Sequence, residues 1–509
     1  MQDFAWPRAN RADKNSEVIQ LSKRARWVLC MALFLTCWMA GPPLAGASSA
    51  GAFEEILEYV HELHISSPQE EELYDGAING LVDTLEDPYT VYMKPDELEE
   101  FSNSLQGTFV GVGIELVPGY SYPSILRIIE GSPAENAGIS AGDIIIKVDG
   151  NDIAEESLPN IVQKIRGPEG TRVRLTIRRD GRDDFDVELL RSSINLPSVQ
   201  GELLDGGIGY INIDIFGSST ADDFEEALIT LKQKGAEKLI LDLRNDPGGY
   251  LQAAVQIAGD FVEKGRVVVS IVDSNNERQS YYTKGNMVAE GMPVAILVNG
   301  ASASASEALA AALQDYGVGA LIGDRTFGKG TVQTVIPLQA GGALKLTTAK
   351  YHTPNDRVID HTGLAPDIQV LTPELQLEAA KNWLNPPDKT TVILEDGGTE
   401  AIVNGSAVKP SQSPLQQGDT IYLPLRFVFE ALGYRVDWQS SDGSVKVADT
   451  RSEALFYPGE DGRVLSGGQV VTEAAPLLHK NEITYIPLSS LNFFNLKVEV
   501  DNGRITIEK

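Results

Sequence analysis

Apolar residues recur along this chain with two different periods, and the changes between them mark out its regions. Phe53, Ile56, Leu57 and Val60 fall at i, i+3, i+4 and i+7, and Leu73, Ala77, Leu81 and Leu85 line a second stripe. Two amphipathic helices are expected there, ended by the Asp87-Pro88 break. Shorter apolar segments follow. RVRLTIRR (172–179) and DFDVELL (184–190) read as strands, as do residues 209–215. Residues 221–234 form an amphipathic helical pattern, and 238–243 read as a strand buried on both faces. Strand, helix and strand in succession predict a layered α/β fold.

The most informative stretch is 294–333, VAILVNGASASASEALAAALQDYGVGALIGDRTFGKGTVQ. The apolar run Val294–Val298 stops at Asn299-Gly300, a turn signal. Three alternating serines, Ser302, Ser304 and Ser306, then lead into an alanine-rich segment of strong helix propensity. A serine at such a strand-to-helix junction sits among unpaired amides at the positive end of the helix dipole, where developing negative charge is favoured. The same serines would serve as ordinary helix caps, and local physics does not choose among them. Past a further strand at 320–322, extended backbone would turn Lys329, Thr331 and Gln333 to one face.

Composition narrows the function classes. The 509 residues call for three or four domains, and 42% hydrophobic content is ample for proper cores. Asp and Glu outnumber Lys and Arg by 72 to 42, so the formal net charge of −30 argues against binding nucleic acid. The 2 cysteines, Cys30 and Cys37, share one apolar segment, and the 5 histidines are scattered without a metal-binding spacing. No metal and no cofactor is expected. The first 26 residues are rich in Arg and Lys, an apolar run covers 27–40, and Ala45-Gly46-Ala47 offers small residues for cleavage. Residues 1–47 therefore read as a signal peptide or membrane anchor, and the chain as extracytoplasmic, secreted or anchored to the outer face of the cytoplasmic membrane.

The SASASE run (302–307) and TFGKGTVQ (326–333) resemble the carboxy-terminal processing peptidases, serine proteases with a Ser-Lys dyad. Loop NDPGGY (245–250), KYHTP (350–354), GLAPDI (363–368) and GLVDTLEDPYTVYMKP (80–95) follow the same family pattern. The resemblance implies Ser304 as nucleophile, Lys329 as general base and Gln333 as its orienter. It further implies that the amides of Gly249 and Ala305 form the oxyanion hole, with Gly248 as neighbour. The fold it implies is multidomain α/β, with a crotonase/ClpP-like α/β core, an inserted PDZ domain, an N-terminal helical region and a C-terminal α+β repeat domain. A homodimer built on the helical region is also implied.

Two other segments carry resemblances of their own. FVGVGIEL (109–116) and ILRIIEGSPAENAGISAGDIIIKVDG (125–150) look like a PDZ domain, a module that adds a peptide strand to its sheet edge. This puts a carboxylate-binding loop at Gly111, Val112, Gly113 and Ile114, and Arg166 where it could couple bound peptide to the core or form a surface ion pair. After Asn385-Pro386-Pro387-Asp388, TIYLPLRFVFEALGYRVDWQSSDGSVKV (from Thr420) echoes ITYIPLSSLNFFNLKVEVDNGRITI (from Ile483). The first copy resembles the N-terminal domain of copper amine oxidases, read here as a binding or spacer module with membrane or cell-wall association.

A lysine base must be neutral to work, so its reference pKa of about 10.4 has to fall toward neutrality, which burial can supply. Phe327 and Val332 are the expected source of that burial. His352 and His361 keep a Ser-His pairing open, since triads ignore chain order. The resulting domain plan is 53–105 helical region, 106–191 PDZ domain, 192–385 protease core and 389–509 repeat domain. The expected function is an exported endopeptidase that cuts proteins near their C-termini after binding an apolar tail. A catalytically silent PDZ scaffold is the rival, and a crotonase-like acyl enzyme the third reading.

Overall fold

A computed structural model of the chain describes residues 49–509, apart from positions 67, 106, 120, 130, 180, 196, 396, 397, 458, 460, 461, 473 and 474. The expected leader at 1–47 lies outside the described residues. Among them, no helix is long and apolar enough to cross a membrane. The chain divides into two compact units, 1–84 and 85–509.

In the first unit the two expected helices are Ser49–Leu63 and Glu70–Asp83. Neither buries a residue. Ile56, Leu63 and Leu81 are more than half exposed at 60%, 74% and 71%, so the helical stripes are not a core within this unit.

The second unit begins its modular architecture with a five-strand antiparallel path, Ile114–Val117, Ser124–Ile128, Ile144–Val148, Arg172–Arg178 and Phe185–Leu190. Along Arg172–Arg178 buried residues alternate with exposed ones, as the pattern RVRLTIR requires. Val173, Leu175 and Ile177 join Ile125, Ile145 and Ile161 in a separate apolar cluster. Strands Thr108–Gly111 and Ser192–Asn195 pair antiparallel, bringing the module's entry and exit side by side. Buried Arg191 secures the exit by donating to the carbonyls of Ile165, at 2.8 Å, and Arg172, at 3.0 Å.

The α/β core is built on a six-stranded sheet ordered Val199–Leu204, Ile208–Ile213, Lys238–Asp242, Val294–Val298, Gly319–Gly323, Ile368–Gln369. All neighbours but the first pair run parallel. Alternate residues feed two different cores. Leu239, Leu241, Val294, Ile296 and Val298 pack with helices Thr220–Gln233, Leu251–Ala258 and Ala305–Asp315. Ile240, Ala295 and Leu297 pack on the opposite side with helix Pro373–Leu384. A second, antiparallel sheet, centred on Ala343–His352, carries strand Thr331–Pro337 and with it the lysine loop.

Across the second of these apolar clusters the repeat domain is continuous with the α/β core. Leu375, Ala380 and Leu384 share one apolar cluster with Val392, Phe427 and Phe429. Buried Glu430 accepts the backbone N–H of Leu371, at 3.2 Å, and Thr372, at 2.8 Å. The two sequence repeats pair with each other: Thr420–Pro424 and Ile483–Pro487 are antiparallel neighbours, with Leu423 opposite Ile486. Each runs on into a short helix, Leu425–Ala431 or the tighter Leu488–Phe494, and then into a hairpin.

Candidate active site

Strand Val294–Val298 delivers the chain to a tight turn that opens helix Ala305–Asp315. Ser304 sits immediately before that helix with φ 58° and ψ −114°, a conformation costly for a residue with a Cβ. Its surroundings hold it there. The buried Glu307 carboxylate accepts the Ser304 N–H at 3.0 Å, and the Ser304 carbonyl accepts from Ala308 N–H at 2.9 Å and the Tyr351 hydroxyl at 3.3 Å.

The two neighbouring serines are spent on structure. The Ser302 hydroxyl, fully buried, donates to the Leu243 carbonyl at 2.7 Å, and the Ser306 hydroxyl, also fully buried, donates to the Asp246 carbonyl at 3.0 Å. Ser304 alone of the three lines a cleft of about 410 Å³. Lys329, Gln333, Gly248 and Gly249 line the same cleft, so residues 85 positions apart in the chain meet in it.

Lys329 reaches the cleft from a loop tied to the helix that follows Ser304. Glu307 accepts from the Thr326 hydroxyl at 2.5 Å, from Gly328 N–H at 2.8 Å and from Lys329 N–H at 2.9 Å. The Lys329 ammonium lies 4.8 Å from the centroid of the Tyr89 ring. Burial pushes its pKa below the ordinary lysine value and the Lys345 cation pushes the same way, against the opposing charges of Glu307 and Asp87. The expected contribution of Phe327 is not found, because that ring is 54% exposed and does not line the cleft. Val332 does line it, together with Phe101, Leu105 and Ile215. Gln333 donates to Thr331 Oγ1 at 3.0 Å and Thr347 Oγ1 at 3.3 Å, which fixes its side chain beside the lysine loop.

The glycine loop lies directly against the Ser304 turn. A Cβ on Gly248 would come within 2.8 Å of both the Ala305 nitrogen and the Ser304 Cβ, and one on Gly249 within 2.3 Å of the Phe216 carbonyl. Gly248 N–H is already committed to Asp246 Oδ1 at 2.9 Å, and Tyr250 N–H to the Phe216 carbonyl at 2.7 Å. Among the described residues the amides of Gly249 and Ala305 have no partner within the chain. Ala305 is the first residue of its helix, where an unpaired N–H is expected. Neither histidine approaches this arrangement: His352 Nδ1 contacts Asp356 at 2.8 Å, and the His361 side chain is 88% exposed.

Residues 207–370 match Peptidase family S41, 124–179 a PDZ domain, 48–97 the activating protease CtpB N-terminal domain, and 402–509 the copper amine oxidase N-terminal domain. A carboxy-terminal-processing protease of Bartonella bacilliformis is 37% identical over 326 residues, covering 63% of this chain and 75% of that protein. The chain belongs to the carboxy-terminal processing proteases of family S41. A probable CtpA-like serine protease of Staphylococcus aureus is 34% identical over 346 residues, 68% of this chain and 69% of that one. The solved photosystem II D1 C-terminal processing protease is 30% identical, covering 66% of this chain and 91% of its own, with a TM-score of 0.41. The protein is thus a serine peptidase with a PDZ domain.

The protease's PDZ groove holds about 780 Å³ and is lined by Gly111, Val112, Gly113 and Ile114, by helix Leu158–Ile165 through Val162 and Ile165, and by Arg166. Strand Ile114–Val117 is the edge of its sheet, open to an added strand. Gly113 has φ +83°, and a Cβ there would strike Ser132. Arg166 is exposed and enters no ion pair among the described residues, so the surface-bridge reading has no support. Ser104 and Ile215 line both this groove and the cleft that holds Ser304 and Lys329.

Three residues of the site escaped the reading of the chain. Glu307 was legible, since Ser304 and a glutamate three positions on make a helix-start signature. Tyr351 and Lys345 were not, because nothing local distinguishes them from other residues of a strand.

Proposed function

We propose that the protein is an exported endopeptidase that cleaves protein substrates near their C-termini after its PDZ groove captures an apolar tail. The observation that carries this reading is the shared cleft of Ser304 and Lys329, with both loops hydrogen-bonded to one buried carboxylate, Glu307. In this mechanism Ser304 Oγ attacks the scissile carbonyl while its proton passes to the neutral amine of Lys329. The oxyanion is held by the amides of Gly249 and Ala305. Lys329 then gives the proton to the leaving amine as the C–N bond breaks. Water repeats the sequence on the acyl-enzyme, with Lys329 as base again and Ser304 as leaving group. Gln333 orients the lysine loop without adding a negative charge that would raise the lysine pKa.

Export rests on the basic, apolar and small-residue succession in 1–47. A homodimer is supported by the uncovered apolar stripes on helices Ser49–Leu63 and Glu70–Asp83. For the repeat domain we propose attachment at the cell envelope.

The test is cleavage of an unfolded substrate ending in an apolar free carboxylate, compared with its C-terminal amide. Charge-assisted hydrogen bonds to the tail contribute about 1.5–3 kcal/mol, so the amide should be cleaved about 10- to 100-fold more slowly at sub-saturating concentration. Arg166→Ala should slow cleavage while tail binding persists. Equal rates for acid and amide would remove the carboxylate from recognition. Tail binding without any cleavage would leave the protein a scaffold.

A further inference from the structure

Lys329 shares its cleft with a second lysine. Lys345, on strand Ala343–His352, lines the same 410 Å³ space and is half-buried. Its ammonium lies 5.1 Å from the centroid of the Phe101 ring. Among the described residues it forms no ion pair. The strand is central, paired with Val91–Met93 on one side and Thr331–Pro337 on the other, with Lys345 opposite Val91 and Val335. This backbone is therefore fixed from both sides, and the second cation is built into the wall of the site.

Burying an ammonium is costly unless it is paired, and this one lies against an aromatic ring in the cleft that also holds Lys329. Like charges in one small space make the loss of one proton easier, as two carboxylates sharing a site do in reverse. The charged groups facing Lys329 are Lys345 from the central strand, Glu307 from the nucleophile's helix and Asp87 from the segment before Val91. Tyr89 and Tyr351 are the titratable hydroxyls beside them, with Asp360 acting on both. Both carboxylates nearest Lys329 are already engaged. Glu307 serves three backbone amides, and Asp87 accepts from Tyr89 N–H at 3.0 Å and the Thr90 hydroxyl at 2.5 Å.

We propose that Lys345 is a positioning residue of charge, a cation kept in the catalytic cleft so that Lys329 is the amine that surrenders its proton. It acts through Lys329 and makes no bond to substrate. The inference rests on Lys329 being the base. Burial lowers the proton affinity of both lysines; on Lys329 the Lys345 cation adds to that lowering against the charges of Glu307 and Asp87, and Asp87 also supports the charge on Lys345. Because the repulsion acts only while both are charged, the pair loses its first proton at a lower pH than either lysine would alone, and its second near the pH of a lysine without the other. Activity then rises with the loss of that first proton, which leaves Lys329 neutral beside a charged Lys345.

The experiment is the pH profile of kcat/KM for the full-length protein on a free-acid peptide, with Lys345→Met, Lys345→Gln and Lys345→Arg beside the wild type. In Lys345→Met the acid limb moves to higher pH, with about tenfold lower kcat/KM near pH 7 and recovery at alkaline pH. Lys345→Gln does the same and stands in if the methionine variant does not fold. Lys345→Arg keeps a permanent cation and retains the wild-type limb. A uniform loss of rate with an unmoved acid limb overturns the proposal and leaves Lys345 a structural residue. Lys329→Arg separates the two levels. If it is active, the lysine-base reading fails and this one with it; if it is inactive while the Lys345→Met limb stays put, only this inference fails.

Discussion

Glu307 accepts the backbone N–H of Lys329 at 2.9 Å across a separation of 22 residues, and Lys329 lines the cleft that Ser304 enters. The same carboxylate holds the Ser304 N–H, so Ser304 and the lysine loop are tied together through one fully buried side chain. Glu307→Ala would leave the amides of Ser304, Gly328 and Lys329 without their acceptor. Each buried donor left unsatisfied costs about 1–3 kcal/mol. The variant is expected to melt at a clearly lower temperature and to lose nearly all peptidase activity. Glu307→Gln keeps the shape but not the charge. Its residual activity should show an acid limb at lower pH, because the Glu307 charge raises the Lys329 pKa. Unchanged melting in Glu307→Ala would mean the loops do not depend on it.

The three serines should separate cleanly. Ser304→Ala, Lys329→Ala and Lys329→Arg abolish hydrolysis, the last because arginine keeps its proton at any working pH. Ser302→Ala and Ser306→Ala each lose a buried hydroxyl-to-carbonyl bond, with a typical cost of about 1 kcal/mol. Both should remain active peptidases of reduced stability. Denaturant melts and single-turnover hydrolysis on all five proteins check this. Hydrolysis surviving in Ser304→Ala while lost in Ser306→Ala would reassign the nucleophile.

Asp246 predicts a pH dependence of stability. Burial raises its pKa from 3.8 to about 8, and its Oδ2 has no partner. A carboxyl whose folded pKa is raised stabilises the fold fully below its unfolded value and loses that contribution as pH rises through the folded one. The window here runs from 3.8 to about 8, and Asp260, raised to about 7, adds in the same direction. Stability should therefore fall between mildly acid and mildly alkaline pH. Asp246→Asn keeps an acceptor for Gly248 N–H and should flatten the curve. Chemical denaturation midpoints at two pH values measure it, and parallel curves for variant and wild type would refute the assignment.

Removing residues 389–509 is expected to damage the protease. The deletion strips apolar cover from Leu375, Ala380 and Leu384 and leaves Leu371 and Thr372 without the Glu430 carboxylate. A chain ending at Asp388 should melt lower than the full chain and expose apolar surface to a dye. Full hydrolysis at an unchanged melting temperature would show that the shared cluster is dispensable.

Much of this was present in the linear chain because secondary structure answers to period. RVRLTIR alternates in sequence and alternates in burial, and VAILV reads as a strand covered on both faces and is one. The repeat at Thr420 and Ile483 was visible as similarity, yet only the folded chain makes its two copies neighbours in one sheet. Local chemistry left Ser302, Ser304 and Ser306 equivalent. Tertiary contacts separate them, since Leu243 and Asp246 come from a different strand and loop and absorb two of the three hydroxyls. Phe327 was a reasonable source of burial for its neighbour Lys329 and turned outward instead. Tyr89, Phe101 and Lys345 do that work from far along the chain. The Asn-Pro-Pro-Asp linker marks a change of composition, but one apolar cluster crosses it. A residue's period and turn chemistry belong to its immediate neighbours and survive in one dimension. Burial, and the electrostatic balance that decides whether a lysine is charged, are sums over everything within a few ångströms, and those neighbours exist only after folding.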